Sequence, residues 1–261
     1  MKRIGVMGLV LVLLAGLFMV PTAASELVST AWAYSQLTDE LEKEIYTRIY
    51  EASWGENRVL EIQLSTPIVY TTAKRDEGIP ADVKAALSGA QQTAVDALRL
   101  DNAGMFWLKG SMISYSSAGR GSDSTGWTWT LSTLTLEITV AVPYESTLEE
   151  VWQAQEEALA AIETVGETRY DRLKEIHDAL VAQVKYDYTF VWPQAHDAVG
   201  ALLDGKAVCE GYAKAFKLRC ERAGIPCVLV TGLATGSGGA EAHMWNLVQM
   251  EDGKWYAVDV T

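Results

Sequence analysis

Cys209 has the residue type and the predicted position of a nucleophile. The apolar stripe of Tyr212, Phe216 and Cys220 that follows it predicts a helix beginning at Cys209. A thiol in a first helical turn faces unpaired backbone N–H groups and the positive end of the helix dipole. Both favour the thiolate, as does the nearby Lys206, and the same N–H groups could stabilise an oxyanion. Position alone leaves two interpretations even: a nucleophile, or a small buried residue that heads a core stripe.

His243 and Asp259 are the predicted partners of this thiol. His243 begins a predicted strand, and an imidazole can take a thiol proton near neutral pH and return it to a leaving amine. A single histidine on a strand is more often structural. Asp259 ends the next predicted strand, and a three-residue loop, Glu251–Gly253, would pair it with Trp245 and put its carboxylate on the face of His243. A loop of two or four residues would put the carboxylate on the opposite face. A bulge in the strand pair could also bring it to the face of His243. We therefore predict that His243 and Asp259 share a face, and leave the type of turn open.

The residues around these three candidates form four segments in a recognisable order. They are GKAVCEGYA at 205–213, AGIP at 223–226, HMWN at 243–246 and GKWYAVD at 253–259. Together the segments resemble the transglutaminase-like superfamily of cysteine enzymes, over roughly the last third of the chain. The resemblance implies that Cys209 is the nucleophile, His243 the base and Asp259 its partner, with Met244 at a position where alanine is common.

The resemblance also implies a fold and a reaction. The fold is α+β, with a papain-like, transglutaminase-like core that packs the cysteine-bearing helix on an antiparallel sheet, preceded by a smaller α+β N-terminal region. The reaction is thiol-dependent acyl transfer at an amide of a peptide or a glutamine side chain, through a thioester on Cys209. The enzyme would be a transglutaminase-like cysteine peptidase or a protein-glutamine acyltransferase. Hydrolysis is slightly favoured over amine crosslinking, because no feature marks an amine-binding channel. The alternative is a non-enzymatic cell-surface binding module that retains the fold.

Three further residues are candidates for substrate binding: Tyr212, Trp245 and His196. The aromatic pair could shape a substrate channel, although aromatic residues beside a core stripe usually serve packing, and His196 could equally be a solvated loop residue. His177 falls on a helical apolar stripe and is expected to be a partnered core histidine. With three histidines, no Cys-x-x-Cys pair and no Asp-rich calcium loop, we expect no metal site and no cofactor.

The first 24 residues are predicted to be a signal peptide that directs the protein to the cell surface or the extracellular space. Lys2 and Arg3 precede an apolar stretch from Val6 to Val20, and Ala24 ends a small-residue pattern that a signal peptidase accepts. The alternative is a single membrane anchor, for which the apolar stretch is short.

Composition limits the partners. The chain has 261 residues, is 49% hydrophobic and carries a formal net charge of −13, which disfavours nucleic acid and anionic lipid. The expected partner is a protein or peptide substrate, with a cell-wall or surface protein as one candidate; the sequence does not predict an oligomeric state. Cys220 and Cys227 are expected either to form a disulfide or to be buried free thiols.

The predicted organisation is an N-terminal region, residues 25–165, followed by the catalytic core at 166–261, with the boundary near Gly166. In the N-terminal region, a change in the phase of the apolar residues predicts a β-bulge near Ser132. Asp101 to Trp107 loosely resembles a pattern found in similar exported proteins. The family ordinarily continues past the aspartate with a few more strands, so the resemblance implies a truncated sequence or a sheet that lacks its last strands. No segment of the sequence is repeated.

Overall fold

The computed structural model describes residues 31–55, 57–236 and 239–261. The predicted signal peptide lies outside these residues. Within them, no helix combines the length and the apolar composition that a membrane span needs. The elements of the N-terminal part are α1 (Trp32–Gln36), α2 (Glu40–Ser53), β1 (Val59–Thr72), α3 (Ala81–Asp101), β2 (Leu108–Ser122), β3 (Gly126–Val140) and α4 (Leu148–Ala160).

The C-terminal part alternates short strands and helices before it ends in a sheet. Its elements are α5 (Arg169–Gln183), β4 (Lys185–Tyr186), a π-helical turn (Gly200–Asp204), β5 (Lys206–Ala207), α6 (Cys209–Arg222), β6 (Cys227–Gly236), β7 (Gly239–Gln249) and β8 (Trp255–Val258). The fold is α+β, as predicted. The N-terminal part is not the smaller one, however, because its sheet is built from strands of 14 and 15 residues.

The N-terminal sheet is antiparallel, in the order β1-β3-β2, and α2 and α3 pack their apolar faces against it. Strand β3 has the predicted bulge at Ser132: Thr133 pairs with Ser116 and Leu131 pairs with the next residue of β2, which leaves Ser132 without a partner. The extra residue turns Leu131 and Leu134 to the same face, and both are fully buried. The phase change in the sequence is therefore how β3 keeps its apolar residues in the core.

The C-terminal sheet is antiparallel, in the order β6-β7-β8, and one face of it is covered by α6. Helix α6 ends where Ile225 donates its backbone N–H to the carbonyl of Cys220, with Gly224 in the left-handed conformation. This reversal sends the chain into β6, beside the helix. Phe216 and Cys220 from α6 and Val248 from β7 are fully buried in the core between them. The cysteines of the chain are free thiols, which is the second of the two alternatives.

Strand β7 begins at Gly239, four residues before His243, where the sequence predicts the start of the strand. In the structure the two strands pair from Cys227 opposite Val248 out to Gly236 opposite Gly239, so His243 lies in the interior of β7. Backbone hydrogen bonds of an antiparallel pair do not depend on side chains, so the small residues of this segment do not interrupt it.

The two parts of the chain share buried contacts. Phe106 and Trp107, which follow α3, pack against Val151 of α4 and against Val199 of the C-terminal part. The indole Nε1 of Trp107 donates to the carbonyl of Ser53 at 2.9 Å. The carboxylate of Asp101 accepts the backbone N–H groups at the start of α1 and the hydroxyl of Tyr46, which ties α1 and α2 to α3. The segment 101–107 thus connects the N-terminal helices to one another and contacts the C-terminal part.

Candidate active site

Cys209 is the first residue of α6 and is partly exposed. Val208, at the helix N-cap, makes no side-chain cap, so the first-turn N–H groups are not capped from that position. The turn before the helix is fixed by Gly205, which has φ of +62°, and by Val208, whose N–H donates to the carbonyl of Ala195 at 3.0 Å. A Cβ on Gly211 would lie 2.4 Å from the same carbonyl, so only glycine lets the start of α6 pack this closely.

Tyr186 lies beside Cys209. Strand β4 runs parallel to β5 and pairs Tyr186 with Ala207, two residues before the thiol. Burial raises the pKa of the Tyr186 hydroxyl, and the Cys209 thiol raises it further, while the backbone N–H of Cys209 acts in the opposite direction. The pairing with Ala207 thus brings Tyr186 to the start of α6, next to the candidate nucleophile. Sequence reasoning missed this residue, because a strand of two residues has no periodicity; the run of aromatic residues from Tyr186 to Phe190 was the available signal.

His243 and Asp259 are in direct contact across β7 and β8. Nε2 of His243 lies 2.8 Å from Oδ2 of Asp259. Of the routes to a shared face, the three-residue loop is the one present: the N–H of Met250 donates to the carbonyl of Lys254, and Gly253 has φ of +76°. The strands then continue in the register that pairs Asn246 with Val258, which puts Asp259 on the face of His243.

The Asp259 carboxylate is held in its ionised form. Burial acts to raise its pKa, but hydrogen bonds from Thr261 and then from His243 outweigh that effect and lower the pKa below its ordinary value. Oδ1 accepts the Thr261 N–H at 3.1 Å and its hydroxyl at 2.6 Å. Oδ2 is the oxygen that binds the imidazole, through Nε2. The other ring nitrogen of His243, Nδ1, therefore faces away from the carboxylate.

Helix α6 is fastened to β7 one turn after Cys209. The side-chain Nδ2 of Asn246 donates to the carbonyl of Ala213 at 3.0 Å, and both residues are buried. Met244, the residue after His243, packs against the cluster that contains Ala213. The strand of His243 is thus fixed to the helix of Cys209. Between the thiol and the imidazole themselves, the part of the chain that the structure describes has no hydrogen bond, and apo enzymes often tighten such contacts only with substrate.

Trp245, a predicted substrate-binding residue, flanks the imidazole. Its ring stacks on that of His243 with centroids 6.0 Å apart and planes 23° apart. Trp245 also lies over Gly232, where a Cβ would come within 2.7 Å of the indole. Gly232 pairs with His243 across β6 and β7, so the glycine makes room for the ring beside the imidazole.

His196 lies at the surface beside the residue that follows the thiol. Its Nδ1 is 3.0 Å from Oε2 of Glu210, and Oε1 of Glu210 pairs with Lys214 at 2.8 Å. Burial acts to raise the pKa of Glu210, but Lys214 and then His196 outweigh it, so the pKa is lowered. Asp197 lies 3.5 Å from Lys214 and forms an ion pair with Lys109 of β2 at 2.7 Å. A chain of charges therefore runs from the N-terminal sheet to the start of α6.

Tyr212 and His177 have other surroundings. Tyr212 is buried, with its hydroxyl donating to the carbonyl of Val184 at 2.6 Å, which is the packing alternative that the sequence left open. His177 has a partner, as expected, since its Nδ1 lies 3.0 Å from Oδ1 of Asp178. It is not a core residue, however: 38% of its side chain is exposed, in a groove between α5 and the β7–β8 hairpin.

A comparison with protein families matches residues 158–260 to the transglutaminase-like superfamily. Among curated proteins, the chain is 38% identical over 76 residues to kyphoscoliosis peptidase of Mus musculus, covering 26% of this chain and 11% of that protein. It is 31% identical over 105 residues to kyphoscoliosis peptidase of Homo sapiens, covering 36% of this chain and 16% of that protein. The chain thus spans only a small share of the length of these relatives.

Solved structures give a weaker likeness. The crystal structure of a TGase has a TM-score of 0.39 and 13% identity, with 75% of this chain and 51% of that chain covered. The periplasmic domain of TgpA from Pseudomonas aeruginosa has a TM-score of 0.32 and 14% identity, with 59% of this chain and 67% of that chain covered. The match to the family model is the stronger likeness, and it contains the helix of Cys209 and the strands of His243 and Asp259. Residues 158–260 of this chain are therefore similar to the core of the transglutaminase-like superfamily.

Proposed function

We propose that this protein is a thiol-dependent acyl-transfer enzyme that acts at amide bonds, with residues 166–261 as its catalytic core and residues 25–165 as the region that supports that core. The proposal rests on one observation above all: Asp259 binds Nε2 of His243 at 2.8 Å. This contact fixes the tautomer and the orientation of the imidazole, as an orienting carboxylate does in a nucleophile–base–acid arrangement. A non-enzymatic binding module would not need His243 and Asp259 to be paired next to the helix of Cys209.

In the proposed reaction, the Cys209 thiol gives its proton to Nδ1 of His243, and the sulfur attacks the amide carbonyl. When the tetrahedral intermediate collapses, the C–N bond breaks and His243 returns the proton to the leaving amine. The product on the enzyme is a thioester. In hydrolysis, His243 takes a proton from water, the oxygen attacks the thioester carbonyl, the C–S bond breaks, and His243 returns the proton to the sulfur, which releases a carboxylic acid and restores the thiol.

We further propose that the oxyanion is stabilised by the backbone N–H of Cys209 and by the hydroxyl of Tyr186. The N–H lies in the first turn of α6, where the helix dipole is positive. Strand pairing with Ala207 brings Tyr186 beside this turn, and the influence of Cys209 on the pKa of the hydroxyl agrees with that placement, so the phenol is suited to receive a carbonyl oxygen that gains charge. In this proposal, the Tyr186 hydroxyl is the second hydrogen-bond donor to the oxyanion, which the sequence alone did not assign.

The acyl donor is proposed to be a peptide or protein amide, and hydrolysis is slightly favoured over transfer to an amine. Export to the cell surface, through the segment 1–24, is part of the proposal and rests on the sequence pattern. Trp245 beside the imidazole is the residue proposed to line the acyl path, since its ring is only partly buried and stacks on the base. His196, more exposed, is proposed to lie at the edge of that path.

The experiment incubates the protein with a glutamine peptide, with and without a fluorescent primary amine, and uses Cys209→Ala as the control. Ammonia release or peptide cleavage that disappears in the variant supports hydrolysis, and incorporation of the amine supports transfer. The competing binding module is tested by alkylation with iodoacetamide. If Cys209 reacts no faster than free cysteine at neutral pH and loses no rate in His243→Ala, the enzyme proposal is wrong.

A further inference from the structure

The loop after β4 exposes large apolar side chains next to the candidate nucleophile. Tyr188 is 81% exposed, Phe190 63%, Val191 77% and Trp192 37%. We refer to residues 188–192 as the aromatic lip. A contiguous group of exposed apolar residues is uncommon on a soluble protein and usually marks an interaction site.

The lip is held in place by a buried carboxylate. Asp187 is 1% exposed, and its Oδ1 accepts the N–H of Thr189 at 3.2 Å and its hydroxyl at 2.5 Å. Its Oδ2 accepts the N–H of Trp192 at 3.2 Å, and Lys206 pairs with Oδ1 at 3.4 Å. Phe190, between these anchors, has φ of +54°, a conformation that residues other than glycine seldom adopt. The backbone of the loop is therefore organised before any partner binds, with its apolar side chains pointing outward.

The lip adjoins the reaction centre. Tyr186 pairs with Ala207, two residues before Cys209, and its ring lies 4.8 Å from the ring of Tyr188 and 6.4 Å from that of Phe190, between centroids. One aromatic ring thus separates the lip from the thiol. An extended acyl donor bound at Cys209 would have its neighbouring side chains at this distance, because successive residues of an extended chain advance by about 3.3 Å.

The charges around the lip favour an uncharged, apolar partner. Lys206 is paired with Asp187 and lies over the ring of Trp192, and Asp204 accepts the indole N–H of Trp192 at 2.9 Å. Lys206 and Asp187 offset each other, and the Asp204 carboxylate accepts hydrogen bonds from two neutral donors, Trp192 and Tyr144, so no uncompensated positive charge beside the lip attracts an anionic group. The net charge of −13 further disfavours the anionic surface of a membrane.

We propose that the aromatic lip is a substrate-specificity site, which binds the apolar side chains that flank the reacting amide of an extended acyl-donor peptide. This inference rests on the proposed function, and it adds the substrate class. Tyr188, Phe190 and Val191 supply the contact surface. The ring of Trp192 is held in place by its hydrogen bond to Asp204.

The test compares two glutamine peptides that differ only beside the glutamine, one with phenylalanine and leucine there and one with two serines. Phe190→Ala and Val191→Ala raise the KM for the apolar peptide about tenfold and leave kcat within about twofold, because they remove contacts made equally in the ground and transition states. Neither variant changes the KM for the serine peptide.

The chain offers matched controls for both variants. Tyr170 is 63% exposed, like Phe190, and Val165 is 80% exposed, close to Val191, and neither is in the lip. Tyr170→Ala and Val165→Ala therefore remove equal apolar surface elsewhere and leave both KM values unchanged. If the control variants raise the KM for the apolar peptide as much as the lip variants do, the lip has no specific role.

A second measurement separates failure of this inference from failure of the proposed function. Fluorescence anisotropy with the labelled apolar peptide and Cys209→Ala protein measures binding without turnover. Binding that is weakened about tenfold by Phe190→Ala supports the lip even if the wild-type protein turns over neither peptide, a result that would refute the proposed chemistry alone. Equal affinity for both peptides overturns the inference. So does a dimer that Phe190→Ala converts to monomer, or binding to phosphatidylcholine vesicles that this variant abolishes, because a second copy or a membrane would then occupy the lip.

Discussion

Lys109 of β2 and Asp197, 88 residues later in the chain, form an ion pair with Nζ and Oδ2 2.7 Å apart. Asp197 also lies 3.5 Å from Lys214, which in turn pairs with Glu210, the residue after Cys209. The carboxylate of Asp197 is 16% exposed and Lys214 is 9% exposed, so these charges are largely shielded from solvent. The N-terminal sheet is therefore coupled by charge to the first turn of α6.

A double-mutant cycle with Lys109→Met and Asp197→Asn measures this coupling. We expect a coupling of about 1 kcal/mol in the free energy of unfolding, larger than that of the control pair below, because the Asp197 carboxylate is only 16% exposed and is therefore less screened by solvent. The measurement is urea denaturation of the wild type, both single variants and the double variant. The matched cycle uses Lys43→Met and Glu40→Gln, a pair on the surface of α2 with 31% and 80% exposed side chains. Equal couplings in the two cycles would show that the ion pair to Asp197 is an ordinary surface contact.

Replacing the orienting carboxylate tests the candidate base. Asp259→Asn keeps the size of the side chain but removes the negative charge beside Nε2 of His243, so we expect kcat/KM to fall about 10²-fold to 10⁴-fold. Steady-state kinetics on a glutamine peptide measure the loss, and circular dichroism verifies that the fold is intact. The control is Asp252→Asn, because Asp252 is in the turn of the same hairpin and contacts Tyr256, away from the imidazole. Unchanged kinetics in Asp259→Asn would remove Asp259 from the mechanism.

The hydroxyl of Tyr186 is tested by its removal. Tyr186→Phe keeps the ring, which stacks on Tyr212 with planes 18° apart, and so preserves the packing. Since the loss of one oxyanion donor typically costs about 10²-fold to 10³-fold, we expect kcat to fall by that amount with little change in KM. Tyr188→Phe, which removes an exposed hydroxyl from the neighbouring ring, is the control. A variant that lowers affinity and leaves kcat intact would indicate that Tyr186 binds substrate and does not stabilise the oxyanion.

Asp187 makes stability depend on pH in the acid range. The Thr189 hydroxyl, followed by the backbone N–H groups of Trp192 and Thr189 and by the Lys206 charge, outweighs burial and holds the pKa of Asp187 below its ordinary value of 3.8. A carboxyl with a lowered pKa in the folded state contributes stability that is full above 3.8 and is lost as the pH falls through the lowered pKa. Thermal unfolding from about pH 6 to about pH 3 should therefore show a larger loss of Tm for the wild type than for Asp187→Asn. Parallel curves would mean that Asp187 ionises alike in the folded and unfolded chain.

The register of the β7–β8 hairpin could be predicted because it follows from local rules. The length of the loop decides which residues of the two strands pair and therefore which face of the sheet each side chain takes. Gly253 occupies the one loop position where a left-handed conformation is needed. The bulge at Ser132 is local in the same sense, since the apolar phase on either side of it must face one core. Each of these features depends on residues that lie within one pair of strands.

Tyr186 and the charge chain through Asp197 could not be predicted in this way. Strand β4 has two residues, too few to show the alternation of apolar and polar residues that marks a strand. Its pairing with β5 depends on how the chain between the two strands folds. Lys109 and Asp197 meet because two distant regions pack together, and no rule of spacing relates them. His177 was misplaced for a related reason: its helical position was right, but the sequence does not say that the groove beside α5 leaves that side open.

Helix α6 belongs to both halves of the molecule. Phe216 and Cys220 are in the C-terminal core, while Ala213 contacts Ala103 and the ammonium of Lys217 donates to the carbonyl of Asp101 at 3.1 Å. The helix that carries the candidate nucleophile is thus supported from two sides. A change in either half of the chain that shifts α6 would therefore also displace Cys209.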